Sequence, residues 1–126
     1  INFYQNTITE FGLESIEDSM GYVLSGGQRR KVEIARCLAS KPKIILLDEP
    51  FAGIDPLAIQ DIKNVLKSLS DKGICILITD HNLRETIDIC NYSIVIKDGS
   101  ILDKGEKDYL INSSLIKEEY FGTVFD

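Results

Sequence analysis

An α/β fold is what this 126-residue sequence predicts: a mostly parallel sheet, flanking helices and a C-terminal β-hairpin. Three observations predict it. Residues 44–47 and 74–78 are short apolar runs without polar alternation, the pattern of strands buried on both faces of a parallel sheet. Between them, Ile62, Val65, Leu66 and Leu69 repeat at helical spacing. Farther on, Asp98-Gly99 separates two strand-like segments and reads as a two-residue hairpin turn.

The elements follow in order. Residues 7–13 are expected to form a short helix, and a turn-rich stretch through Asp18, Ser19 and Gly21 leads to Ser25-Gly26-Gly27. Val32, Ile34, Ala35, Leu38 and Ala39 fit one helical face, and Ser25 and Gln28 have capping-box spacing, so that helix starts near Gly26 and closes before Pro42. After the first strand, Asp55-Pro56 is a helix start, with Asp as N-cap and Pro at the first helical position. Gly73 ends this helix. A short helix is expected over 82–90, strands over 93–97 and 100–103, and a helical tail over 106–121. Helix, strand, helix, strand, helix, strand, hairpin is half of a doubly wound domain. Ligands in such sheets lie beyond the carboxyl ends of the strands.

Composition narrows the function classes. The chain is 44% hydrophobic and 27% charged, enough to bury a core. Its net charge of −6 disfavours non-specific nucleic-acid binding. No apolar run approaches the roughly 20 residues of a membrane span. Cys37, Cys75 and Cys90 are odd in number and widely spaced, which argues against a disulfide framework or zinc site and fits a reducing cytosol. All three sit in apolar stretches and are expected to be buried. The chain begins with Ile1 rather than Met, so a fragment is expected.

The chemistry concentrates at strand ends. The first strand closes with Asp48-Glu49-Pro50. Two carboxylates ending an apolar strand are costly unless used. Period-2 alternation points them apart, one toward a metal and one toward a reacting water, and Pro50 is expected to hold Glu49 extended. The plain alternative is a strand that exits into solvent. The second strand ends at Thr79-Asp80-His81, which would bring the sole histidine to the same sheet edge as Glu49 if the strands pair. The alternative is an ordinary surface histidine. Ser25, Gly26, Gly27 and Gln28 open a helix that can hold an anion. The helix could equally be capped and empty, but Arg29, Arg30 and Lys31 in its first turns oppose the helix dipole, which a bound polyphosphate would explain. Arg29 is expected to pair with Glu33.

Together these segments resemble the C-terminal half of an ABC-type ATPase, a P-loop NTPase domain. Residues 24–28 read LSGGQ, the family's signature; 44–50 read IILLDEP, its Walker B segment and catalytic Glu; 51–56 read FAGIDP, its D-loop; His81 matches the switch histidine. All four in this order are specific. Within the family, VEIARCLA, LDEPFAGIDP, ITDHNLRET and YFG at 120–122 resemble the ATPases of bacterial lipopolysaccharide export, with branched-chain amino-acid importers as the alternative.

The resemblance implies ATP and Mg²⁺ as cofactors. It implies that Ser25, Gly26 and Gly27 meet the γ-phosphate across a dimer, with Gln28 close by. Asp48 would hold Mg²⁺ through water, Glu49 would be the general base, His81 would sense the γ-phosphate, and Asp55 would link two sites. The implied partners are a second ATPase subunit in a homodimer and transmembrane permease subunits. Nucleic acid is not implied. The implied place is the cytoplasmic face of the bacterial inner membrane, without a span. The implied organisation is a signature-helix subdomain over about 1–40, a catalytic core over about 41–105 and a tail over about 106–126. The chain departs from the family in one respect. It contains no G-x-x-x-x-G-K-[ST], the motif that cradles phosphates, so on its own it is expected to be inactive. A non-catalytic remnant that lends its signature to an intact partner is the competing expectation. In the family, the P-loop strand lies between the strands matching 74–78 and 93–97, so a gap in the sheet is expected there.

Overall fold

The computed structural model describes residues 2–121, so the Gly of the YFG phrase, Gly122, lies outside the described residues. The chain forms two compact units, one up to Thr79 and one from Asp80.

The first unit begins with α1 (Asn2–Glu10), followed by two 3₁₀ turns, Glu14–Ile16 and Gly21–Val23. Then come α2 (Gly26–Leu38), β1 (Ile44–Asp48), α3 (Pro56–Asp71) and β2 (Cys75–Thr79). The opening helix starts five residues earlier than the expected 7–13, and Phe11 and Leu13 leave it to enter the core. The reason is tertiary. Glu10 at its end accepts hydrogen bonds from the Ser68 hydroxyl at 3.0 Å and the Lys72 ammonium at 2.5 Å, both near the end of α3.

The Lys72 bond, the largest contribution, holds the Glu10 carboxyl below its ordinary range. A lowered folded pKa stabilises above the ordinary value and ceases to do so as pH falls through the folded value. Glu10→Gln is therefore expected to cost about 0.5 kcal/mol at pH 7, the scale of a partly exposed pair, and nothing at pH 2. Urea midpoints at the two pH values check this; an equal loss at both would mean the ion pair is not the cause.

β1 and β2 pair in parallel, Ile44 opposite Cys75 through Asp48 opposite Thr79. Ile45 is buried and Leu47 half-buried, with Ile34, Leu38, Ile62, Leu66 and Leu69 in the same unit's core. The expectation that both faces are buried is corrected. Ile44, Leu46 and Leu77 are exposed by 60%, 71% and 58%. Side chains alternate along a strand, so helices on one side cover one set only. The unalternated sequence reported what the two faces are made of, not that both are covered.

The second unit holds α4 (Leu83–Ile89), β3 (Ser93–Lys97), β4 (Ser100–Gly105), α5 (Lys107–Asn112) and α6 (Ser114–Ile116), with a π-helical turn at Lys117–Phe121. Asp98 and Gly99 both have positive φ, 50° and 76°, between the paired Lys97 and Ser100. That is the backbone of a type I′ hairpin turn, as the Asp-Gly pair predicts. β4 runs two residues past the expected 103, with a bulge opposite Val95/Ile96. Ile87, Val95, Leu110 and Ile116 form this unit's core.

Strand pairing gives a two-stranded sheet in each unit, β1–β2 in the first and β3–β4 in the second. The cysteine expectation is also corrected: Cys37 and Cys75 are exposed and Cys90 is half-buried. Cys37 lies off the buried face of α2, and Cys75 lies on the open face of the sheet. Burial raises the Cys90 thiol pKa. No helix among the described residues is long and apolar enough to cross a membrane.

Candidate functional site

The signature turn is built by reciprocal capping. Ser25 is extended, and its Oγ accepts the Gln28 N–H at 3.2 Å while Gln28 Oε1 accepts the Ser25 N–H at 2.9 Å. Gly26 and Gly27 are thereby the first two residues of α2. Positive charge follows them, and Glu33 pairs with Arg30 at 2.9 Å. The expected Arg29 partner is thus replaced, because three residues along a helix bring side chains to the same face as readily as four.

Gly27 is buried, and a Cβ built on it would lie 2.5 Å from the Ala58 Cβ. A Cβ on Gly26 would lie 3.4 Å from the Gly53 carbonyl oxygen. The start of α2 therefore rests on residues 53–58. Those residues are themselves fixed by Asp55, whose Oδ1 accepts the N–H groups of Leu57 at 3.0 Å and Ala58 at 3.1 Å. Asp55 is the N-cap that the sequence predicts. What sequence reasoning missed is that the LSGGQ and FAGIDP segments touch each other. The only sequence signal for it is the run of small residues, Gly26, Gly27, Gly53 and Ala58.

Asp48 ends β1, exposed, opposite Thr79 of β2. The Thr79 hydroxyl donates to Asp48 Oδ1 at 2.6 Å, within the range of a charge-assisted O–H···O⁻ bond. Glu49 follows with its N–H donated to the Thr79 carbonyl at 2.7 Å. The expectation that Pro50 holds Glu49 extended is corrected, since Glu49 has φ +47°. A bulky residue there costs on the order of 1–3 kcal/mol. The Glu49 N–H is tied to β2, while Pro50 and Phe51 are buried behind it, so the chain must turn at this residue. Glu49 thus leaves the extended conformation, so strand alternation does not by itself set the direction of its side chain.

His81 belongs to the second unit. It is exposed, with Nδ1 3.8 Å from Asp80 Oδ1. Asp80 is 1% exposed at its side chain and accepts the Asn82 N–H at 2.8 Å. Asn82 in turn caps α4 by accepting the Glu85 N–H at 3.3 Å. A buried carboxylate thus shapes the turn that presents the histidine.

No cluster of three or more His, Cys, Asp or Glu able to hold a metal occurs among the described residues. A single strand-end carboxylate with one oxygen fixed suits Mg²⁺, which takes one or two carboxylates and completes its shell with water and substrate phosphates.

The family model described as "ABC transporter" matches residues 3–52. The lipopolysaccharide export system ATP-binding protein LptB of Haemophilus influenzae is 48% identical over 94% of this chain and 49% of its own length. The chain thus spans about half the length of the curated relatives it matches. MJ1267, an ATP-binding cassette of an ABC transporter solved in its ADP conformation, superposes with a TM-score of 0.81 at 33% identity, over 93% of this chain and 48% of that one. The cassette MJ0796, solved as a dimer with ADP and Pi bound, superposes with a TM-score of 0.69 at 28% identity, over 84% of this chain and 46% of that one.

Proposed function

Because the chain belongs to the ABC-type ATPases, we propose that it carries the signature, Walker B, D-loop and switch segments of a transport ATPase that works as a dimer. The observation that carries this reading is the signature turn seated on the D-loop, in the same unit as a strand that ends in Asp48-Glu49, with Asp48 bonded by Thr79 and Glu49 at positive φ. Likeness to the Haemophilus influenzae protein supports lipopolysaccharide export as the task. The place proposed for it is the cytoplasmic face of the inner membrane, with permease subunits as partners.

In this reading Ser25, Gly26 and Gly27 meet the γ-phosphate of an ATP held by the second subunit. The free N–H groups of a helix start favour that charge. Gln28 keeps Ser25 in place through the capping box. Asp48 would hold Mg²⁺ through water, and a metal there would supply neutralisation of phosphate charge. Glu49 takes the proton from the attacking water. His81, exposed on its capped turn, contacts the γ-phosphate, and Asp55 links the two sites. The sequence contains no P-loop, so hydrolysis is proposed for the assembled ATPase and not for these 126 residues alone.

Sedimentation of the full ATPase with a non-hydrolysable ATP analogue tests the signature's role. The native protein is expected to shift from monomer to dimer, and Ser25→Arg to remain monomeric. Dimerisation of Ser25→Arg at the native nucleotide concentration would sink the assignment. For the transport task, turnover in reconstituted vesicles is expected to rise several-fold when lipopolysaccharide is included. Stimulation by a branched-chain amino acid instead would move the chain to the importer branch.

A further inference from the structure

Thr79 carries no motif, yet it bonds both acidic residues of the site. Its side chain meets the Asp48 carboxylate and its backbone meets the Glu49 N–H. The hydroxyl donates to Asp48 Oδ1 at 2.6 Å, and the carbonyl accepts the Glu49 N–H at 2.7 Å. The two strands are in register here, with Asp48 directly opposite Thr79, so the contact comes from the ladder itself and not from a mobile side chain reaching across. An exposed aspartate at a strand end otherwise rotates freely about χ1 and χ2. A short bond to an ionised oxygen is among the stronger ones available to it.

From this we infer that Thr79 is the positioning residue of the strand-end acidic pair: its hydroxyl sets the Asp48 carboxylate for a divalent cation, and its carbonyl holds the Glu49 backbone where it leaves the strand. The inference rests on the proposed metal role of Asp48. Groups that orient a metal-binding carboxylate typically change metal affinity by about 10–100-fold when removed. Strand propensity does not explain the residue, because Val and Ile would serve a strand equally well. The hydroxyl is what distinguishes Thr.

The test uses the full ATPase carrying Glu49→Gln, so that nucleotide is not consumed. ATP dissociation constants are measured by calorimetry with Mg²⁺ and without it, and their ratio reads the metal's contribution. Thr79→Val, which keeps the shape and loses the hydroxyl, is expected to shrink that ratio by about tenfold and to leave the metal-free constant unchanged. Thr79→Ser is expected to stay within about twofold of the parent. If Thr79→Val fails to fold, Thr79→Ala gives the same reading. A ratio that survives Thr79→Val but collapses in Asp48→Asn overturns the inference and leaves the metal role of Asp48 standing. A ratio that survives Asp48→Asn overturns that role, and the inference with it.

Discussion

Replacing Glu49 by Gln in the assembled ATPase is expected to lower ATP turnover by about 10²–10⁴-fold and leave nucleotide binding unchanged. That loss corresponds to a barrier higher by roughly 3–5 kcal/mol. The substitution separates chemistry from structure. Gln has the same length and backbone preferences as Glu, so the bend at φ +47° and the N–H bond to Thr79 persist. What disappears is a carboxylate able to take a proton from water. Single-turnover hydrolysis and retention of labelled ATP measure the two quantities independently. Turnover within threefold of the native rate would place the base elsewhere. Loss of ATP binding together with turnover would mean that Glu49 supports the nucleotide and not the proton transfer.

The second large effect concerns packing. Gly27→Ala is expected to destabilise the protein by about 1–3 kcal/mol, the scale of overpacking in a well-packed interior. Helix propensity alone predicts the opposite sign, since Ala is favoured over Gly by roughly 0.5–1 kcal/mol inside a helix. The close approach decides the matter: the added Cβ would stand 2.5 Å from the Ala58 Cβ, and one of the two helix starts would have to move. Ala58→Gly in the same molecule removes the obstruction and is expected to recover most of the loss. Urea unfolding of the two single variants and the double variant measures the coupling directly. If Gly27→Ala unfolds at the native midpoint, α2 does not rest on α3 as described. Because Gly26 also lies against Gly53, a shift here moves the signature turn relative to the D-loop, and ATP-dependent dimerisation is expected to weaken in step with stability.

Much of the fold is legible in the chain because its signals are local. Ser25 and Gln28 lie three apart, Asp55 precedes Pro56, and Asp98 precedes Gly99; each pair fixes its own stretch of backbone through a bond or a dihedral preference it carries itself. The parallel pairing of β1 and β2 follows from two apolar runs joined by a helix. The errors share one cause. The extent of α1 depends on Glu10 meeting Lys72, sixty-two residues away. Exposure of Cys37 and Cys75, and of the Ile44 and Leu46 face, depends on which elements cover a surface, which a residue's own type does not state. The geometry of Glu49 depends on a carbonyl thirty residues downstream.

By itself, the sequence determined which residues are proposed to carry chemistry and in what order: Ser25 to Gln28, Asp48, Glu49, Asp55 and His81, each with a capping or strand-end pattern visible within a few positions. Tertiary structure alone decided how those of the first unit are held. Gly27 rests against Ala58 and Thr79 binds Asp48 because α2 meets α3 and β1 lies in register with β2. Short-range propensities choose the conformation of a segment. Distances between segments are set only when the core closes and every buried face must find a partner.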